Sequence, residues 1–473
     1  MESAATLRLD LSGLSAAVIG EATGLGEPEI REAMRDGEEA AARVRADHES
    51  GKKTFLALPF DRNAADHVLE YAARAAGRFE NVAVLGIGGS ALPARLLQGA
   101  LLPPYWNFLP ERERRGRPRL FVCDNVDPAE FEGLLKAAPP DRTLFLVISK
   151  SGRTPETLAQ FQIVWERLKK TAGNRAKEHV AIVTDPAKGA LLDIARAERI
   201  EAFEVPPRVG GRFSVLSPVG LLPAALVGID VMTLLAGGAR MAEHCLRAPA
   251  TENPGTALAA LHRRFAKKGR TIAALMPYAS GLEPFTEWFS QLWGECLGAP
   301  LPDGTHTGLT PLRALGATDQ HSLLHILLDG PADKVVGFVA VDDPGADVPI
   351  PAAFPKQRDA ARLGGSTLGR LLDVERRATA AGLAERRRPH WTLHLPRLDP
   401  ASIGAAVVLF EHATWVLGHL LGMDRYPPGG LKVVHDRIEA ALDGKAANTA
   451  PSLPPPATKP WSISVPIPSP SPT

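Results

Sequence analysis

Short, unbroken apolar runs recur along the first half of the chain: Val82–Leu85, Leu120–Cys123, Leu144–Ile148 and Val180–Thr184. Runs of four or five without alternation predict strands buried on both faces of a sheet. Between them lie segments of helical pattern, such as "PETLAQFQIVWERLKK". This alternation, from about Asp66 to Pro206, predicts a parallel sheet with helices on both faces. "PPRVGGRF" breaks it, and "SPVGLLPAALVGIDVMTLLAGGARMAEHC" reads as a helical bridge. A second alternation starts near Thr271 with "TIAALMPY", a helix over Glu283–Leu297, "HILLDG" and "VVGFVAVDD". Residues 364–423 add helices and the strand "HWTLHLP". The expected organisation is a helical N-terminal cover over 1–60, an α/β domain over 61–206 and a bridge over 207–255. A second α/β domain with C-terminal helices follows over 256–445, and a disordered Pro/Ser-rich tail over 446–473.

Charge adds little. Lys and Arg number 54 against 53 Asp and Glu, so no field favours nucleic acid or an anionic membrane as partner. "ERERRGRPRL" reads as a solvated loop. Three widely spaced cysteines, Cys123, Cys245 and Cys296, suit reduced thiols in a cytoplasmic protein better than disulfides or a metal site. The start carries no basic-then-apolar signal pattern. The most apolar helical run, "GAAVVLFEHATWVLGHLLGM", is interrupted by Glu411, His412 and His419. It reads as a buried or interface helix, not a membrane span.

Two turns carry candidate chemistry. "NVAVLGIGGSALPARLL" runs from strand through glycine turn to helix, and Gly86, Gly88 and Ala91 fit a loose dinucleotide-binding pattern. That reading needs an acidic residue roughly 20 positions on, at the end of the next strand. The region holds Glu111 and Glu113 with no strand before them, and Asp124 comes much later. "FLVISKSGRTPET" is a second strand-to-helix turn, with Thr154 in the capping place and Pro155 opening the helix. Ser149, Ser151, Thr154 and Thr157 with Lys150 would supply many donors to a phosphate monoester. The plainer reading is ordinary helix capping. Gln291 and Glu295, four apart, share a helix face with Trp288 and Leu292 alongside. A carboxylate against an apolar wall can serve as a general base near neutral pH, whereas a solvated helix glutamate does nothing. Arg212, after Gly210 and Gly211, would ordinarily be an interdomain ion pair.

"GIGGSALPARLL", "ISKSGRTPET", "GGRFSVLSPVGLLPAAL", "FSQLWGECLG" and "GATDQHSLLHILLDG" follow the order seen in the glucose-6-phosphate isomerase family, which this chain resembles from about residue 55 to 440. The resemblance implies two SIS-type, flavodoxin-like, doubly wound α/β domains and a cofactor-free, metal-free interconversion of glucose 6-phosphate and fructose 6-phosphate through an enediol. It implies Glu295 as the base, Arg212 as the enediolate partner, and His321 with Lys432 for ring opening, Asp319 orienting the imidazole. Gly88, Gly89, Ser90 and Gln291 would contact the sugar, and Ser149, Lys150, Ser151, Thr154 and Thr157 the phosphate. The family's C-terminal Asp-Gln pattern is altered here: "MDRYPPGGLKVV" keeps Asp424 and Lys432 but sets Arg425 in the glutamine place, where it could take over a phosphate contact. The resemblance further implies a homodimer in which each His321 serves the neighbouring subunit's site, with apolar helices such as "AAVVLFEHATWVLGHLLG" as interface surface. Three alternatives remain open: an isomerase of another sugar phosphate such as mannose 6-phosphate, a catalytically silent sugar-phosphate sensor and, third, a dehydrogenase, which failure to bind NAD(H) would dispose of.

Overall fold

A computed structural model describes residues 6–52, 54–301, 303–423 and 431–443. It divides into two compact units, Met1–Asp424 and Arg425–Thr473. The larger unit holds both sheets. The first sheet is built from β2 (Asn81–Leu85), β3 (Arg119–Cys123), β4 (Thr143–Ser149), β5 (Val180–Thr184) and β6 (Glu201–Glu204). All pairings are parallel, in the order β3-β2-β4-β5-β6. Every residue of β2, β4 and β5 is buried, which is why these strands are legible as unbroken apolar runs. β6 has the sequence EAFE, with only Phe203 buried, and its edge position left no apolar run to read.

The order just given is that of a flavodoxin-like sheet, in which the winding reverses between the first strand and the third. Here those are β2 and β4. The loops leaving their carboxyl ends, Gly86–Ser90 and Lys150–Thr154, therefore diverge and leave a crevice.

The second sheet repeats the winding. β7 (Ile272–Pro277), β10 (Thr310–Arg313), β11 (Lys334–Asp343) and β12 (His390–Arg397) pair in parallel in the order β10-β7-β11-β12. The fifth place is taken by β1 (Arg8–Asp10), which joins β12 antiparallel. So the N-terminal segment is more than a helical cover, since it completes this sheet. A short hairpin, β8 (Ala299–Pro300) with β9 (His306–Thr307), precedes β10. "HILLDG" begins in the short helix Leu324–Leu328 instead of a strand. The edge place went to β10, whose Pro311 is tolerated because an edge strand has a free side.

The apolar run near the C-terminus forms the helix Pro400–Leu420, with 89% of its most apolar window buried inside the chain. It is a core helix, and it has no exposed apolar face to give to an interface. Glycines let it approach its neighbour closely: a Cβ on Gly404 would lie 2.0 Å from the Leu234 carbonyl oxygen, and one on Gly237 equally close to that of Ala401. The Asp399 carboxylate starts the helix by accepting the Ser402 N–H at 2.8 Å, a cap contributing about 1 kcal/mol.

Candidate active site

The helix Glu283–Leu297 carries the two candidate side chains for a simple reason of spacing. Phe285, Trp288, Phe289, Leu292, Trp293 and Cys296 form one buried stripe at helical intervals. Gln291 and Glu295 fall on the other face, half-buried. Gln291 Nε2 donates to Glu295 Oε1 at 3.0 Å. Glu295 Oε2 lies 3.3 Å from Arg212 Nε, while Arg212 Nη1 donates to the Glu295 backbone carbonyl at 2.9 Å. The carboxylate thus sits in an ion pair, against the expectation of an apolar wall. Trp288 and Leu292 face the core, and Trp288 Nε1 donates to the Arg212 carbonyl at 3.2 Å. Arg212 itself is mostly buried, with 22% of its side chain exposed, so it is no surface arginine.

The glycine turn after β2 completes this corner. Gly88 has φ +54°, and a Cβ there would lie 2.7 Å from Gln291 Nε2. A Cβ on Gly89 would meet the Gly211 carbonyl at 2.6 Å. Only glycines let this turn approach both the helix and Arg212's loop so closely. Ser90 ends the same turn, a single 3-10 turn over Gly88–Ser90. Ser214, fully buried, fastens the two loops: its Oγ lies 2.6 Å from the Gly211 carbonyl and 3.1 Å from that of Gly89. Sequence reading passed over Ser214, though a hydroxyl two places after Arg212 in an apolar stretch was a readable signal.

The second turn settles what its hydroxyls do. Thr154 stands at the N-cap of the helix Pro155–Ala172, yet its side chain caps no amide. Its Oγ1 turns instead to Ser149 Oγ at 2.7 Å and Ser151 Oγ at 3.4 Å. Ser149 and Ser151 are themselves 3.4 Å apart. Thr157, one turn on, is buried with its hydroxyl unpartnered. Ordinary capping would have used these groups, so a cluster of hydroxyls beside uncapped helix amides suits an anion. Lys150 points elsewhere: its ammonium donates to the carbonyls of Pro207 and Val209, tying down the loop that leads to Arg212.

Two expected residues, His321 and Asp319, make no hydrogen bond or ion pair with these groups. His321 is exposed, at the end of the 3-10 turn Thr318–His321, and makes no hydrogen bond with the groups above. Asp319 does not orient it. Its carboxylate accepts the Leu315 N–H at 2.7 Å and the Ser322 hydroxyl at 2.5 Å. Lys432 belongs to the smaller unit, in the helix Leu431–Leu442, where its ammonium pairs with Asp436 at 2.5 Å and that contact raises its pKa. Arg425, Asp424 and the tail from 446 lie outside the described residues. Asp124 does reach the end of the strand beside β2, the long 102–118 connection accounting for its distance in sequence, but it pairs with Arg95 at 3.3 Å. Among the described residues no group of three or more His, Cys, Asp or Glu is placed to hold a metal ion.

By class, then, this is a doubly wound α/β protein with two parallel-wound sheets. The comparisons sharpen that. Residues 33–341 match the family model for phosphoglucose isomerase. The chain is 40% identical over 412 residues to the glucose-6-phosphate isomerase of Carboxydothermus hydrogenoformans, covering 86% of this chain and 89% of that protein. It is 42% identical over 382 residues to that of Rubrobacter xylanophilus, covering 80% and 86%. A crystal structure of a hypothetical protein from Thermus thermophilus superimposes with a TM-score of 0.82 at 32% identity, covering 93% of this chain and 100% of that one. The chain belongs to the phosphoglucose isomerase family.

Proposed function

We propose that the chain interconverts glucose 6-phosphate and fructose 6-phosphate through an enediol, with Glu295 moving the proton between the two carbons. The observation that carries this is the pairing of Glu295 with Arg212 beside a glycine turn, one strand from a hydroxyl cluster that does no capping. Binding alone needs no base, so the retained pair argues against a silent sensor. The carboxylate takes the proton from one carbon and returns it to its neighbour. Arg212, whose Nη2 makes none of the bonds above, stabilises the negative oxygen that forms in between. Ser149, Ser151, Thr154 and Thr157 hold the phosphate, with Arg425 as a further contact. Gly88, Gly89, Ser90 and Gln291 line the sugar. Three free, buried cysteines support a cytoplasmic setting.

The test is direct. Fructose 6-phosphate incubated with the protein and EDTA should yield glucose 6-phosphate. No product would overturn the assignment, and loss of activity on adding EDTA would overturn the metal-free reading.

Ring opening falls to His321 and Lys432, and we place His321 in the neighbouring subunit's site. His321 is exposed and has no side-chain hydrogen bond or ion pair among the described residues, which supports this. Glu295→Gln and His321→Ala should each be impaired alone. Co-refolded, they should recover about a quarter of wild-type activity, since half the dimers are mixed and each has one intact site. Mixed dimers, shown by size and tag, that stay as inactive as the separate variants would disprove the shared site.

A further inference from the structure

The two sheets are wound alike, and their first turns mirror each other. β2 leads into the turn Gly88–Ser90 and a helix with Pro93 in second place. β7 leads into the turn Ser280–Leu282 and a helix with Pro284 in second place. Each turn packs on the other half's helix: Gly88 against Gln291, and Gly281 against Gly99. Arg95 on the first helix is bidentate to Glu287 on the second. The crevice between β2 and β4 therefore has a counterpart between the carboxyl ends of β7 and β11, where the second sheet reverses its winding.

That counterpart is a cavity of about 690 Å³, within the range of small-molecule sites. Its walls include the turn after β7, the end of β11 and the helix Leu368–Glu385. Pro104 lines it too. Glu295 lies eleven residues after Pro284 and still within its helix, whereas the helix Leu92–Leu101 has ended before the matching position, which is Pro104.

Four arginines, Arg8, Arg370, Arg376 and Arg377, line this cavity with three carboxylates, Asp342, Asp347 and Asp373. Its carboxylates are satisfied from within: Asp342 by His394 at 3.0 Å, Asp347 by the N–H groups of Val348 and Gly369, and Asp373 by Arg376 and Arg377. The arginines are not. Arg376 spends Nε and Nη2 on Asp373, Arg377 only Nε, and the exposed Arg370 guanidinium has no partner among the described residues. Guanidinium forks left over in a concave site match phosphate oxygens.

We propose that this second crevice is a non-catalytic binding site for a small phosphate-bearing molecule, held by Arg370, Arg376 and Arg377. Without a carboxylate in the place of Glu295 it binds and does not isomerise. Its occupant touches the turn that opens the helix carrying Glu295, so binding there bears directly on the active site's support.

Calorimetric titration with inorganic pyrophosphate tests this. The intact protein should show two classes of sites. In Arg370→Ala/Arg377→Ala one class should weaken by roughly tenfold or more, with kcat, KM and unfolding midpoint unchanged. In Ser149→Ala only the other class should weaken. Pyrophosphate binding that is unchanged in the double variant, or a single class abolished by Ser149→Ala, would overturn the proposal. The readout is binding, so it stands or falls independently of the isomerase reaction.

Discussion

Glu295→Gln should lower kcat by roughly 10²- to 10⁴-fold, the usual range for removing a group that transfers a proton in the transition state, and leave the binding of a non-reacting sugar phosphate intact. The amide is nearly isosteric, so the contacts with Gln291 and the Arg212 guanidinium lose charge but little shape. A residue that only bound the substrate, equally in ground and transition states, would show a raised KM with kcat largely kept. Ser149→Ala should give that second pattern. The phosphate end changes little between ground and transition states, so its loss weakens binding of substrate and inhibitor together. Steady-state kinetics and an inhibition constant on both variants separate the roles. Near-wild-type kcat in Glu295→Gln would remove it as the base.

Acid should destabilise the fold steeply, because two histidines are buried without charge. Burial pushes His262 and His412 down to about 3, with Arg45 opposing a charge on His412 as well. His262 accepts the Trp391 indole N–H at 3.1 Å, and His412 meets the Thr256 hydroxyl at 3.0 Å. Below the unfolded value near 6.5 the unfolded chain binds protons that the folded chain refuses. Stability is therefore full above pH 6.5 and falls as the pH drops toward 3, by about 1.4 kcal/mol per unit for each histidine. Glu411 acts in the opposite sense. Its complete burial raises its pKa well above the usual carboxyl value, so folding binds a proton and stability falls as the pH rises from 4.5 through the folded value. Urea unfolding at pH 7.5 and 5.5 reads both effects. His262→Gln keeps an acceptor for Trp391 and should show a shallower loss than wild type. Glu411→Gln should be more stable than wild type, with the larger gain at pH 7.5. Parallel pH profiles for all three proteins would refute the assignment.

The periodicities were sufficient for much of the architecture. β2, β4 and β5 are legible because burial on both faces forbids polar residues anywhere along them. The Glu283–Leu297 helix is equally legible, since its core stripe demands six apolar residues at helical spacing. β1, β6 and β10 are not, because each is short or at an edge and owes its pairing to a neighbour supplied from far along the chain. Burial of "AAVVLFEHATWVLGHLLG" likewise depends on what surrounds it. An apolar helix announces that it is covered, not whether its own chain or a second copy covers it.

At the site, the sequence by itself determined which residue types were present and in what order: a glycine turn, a hydroxyl-rich helix start, a glutamate on a polar helix face. Only the tertiary structure decided what each was doing. Thr154 sits in a capping sequence and does not cap, because Ser149 and Ser151 are within reach of its hydroxyl. Glu295 lies beside tryptophan in sequence and beside Arg212 in space, 83 residues away along the chain. Local pattern reports which face of an element is apolar. Partners for the other face come from elsewhere in the chain, and only the packing of distant elements chooses them.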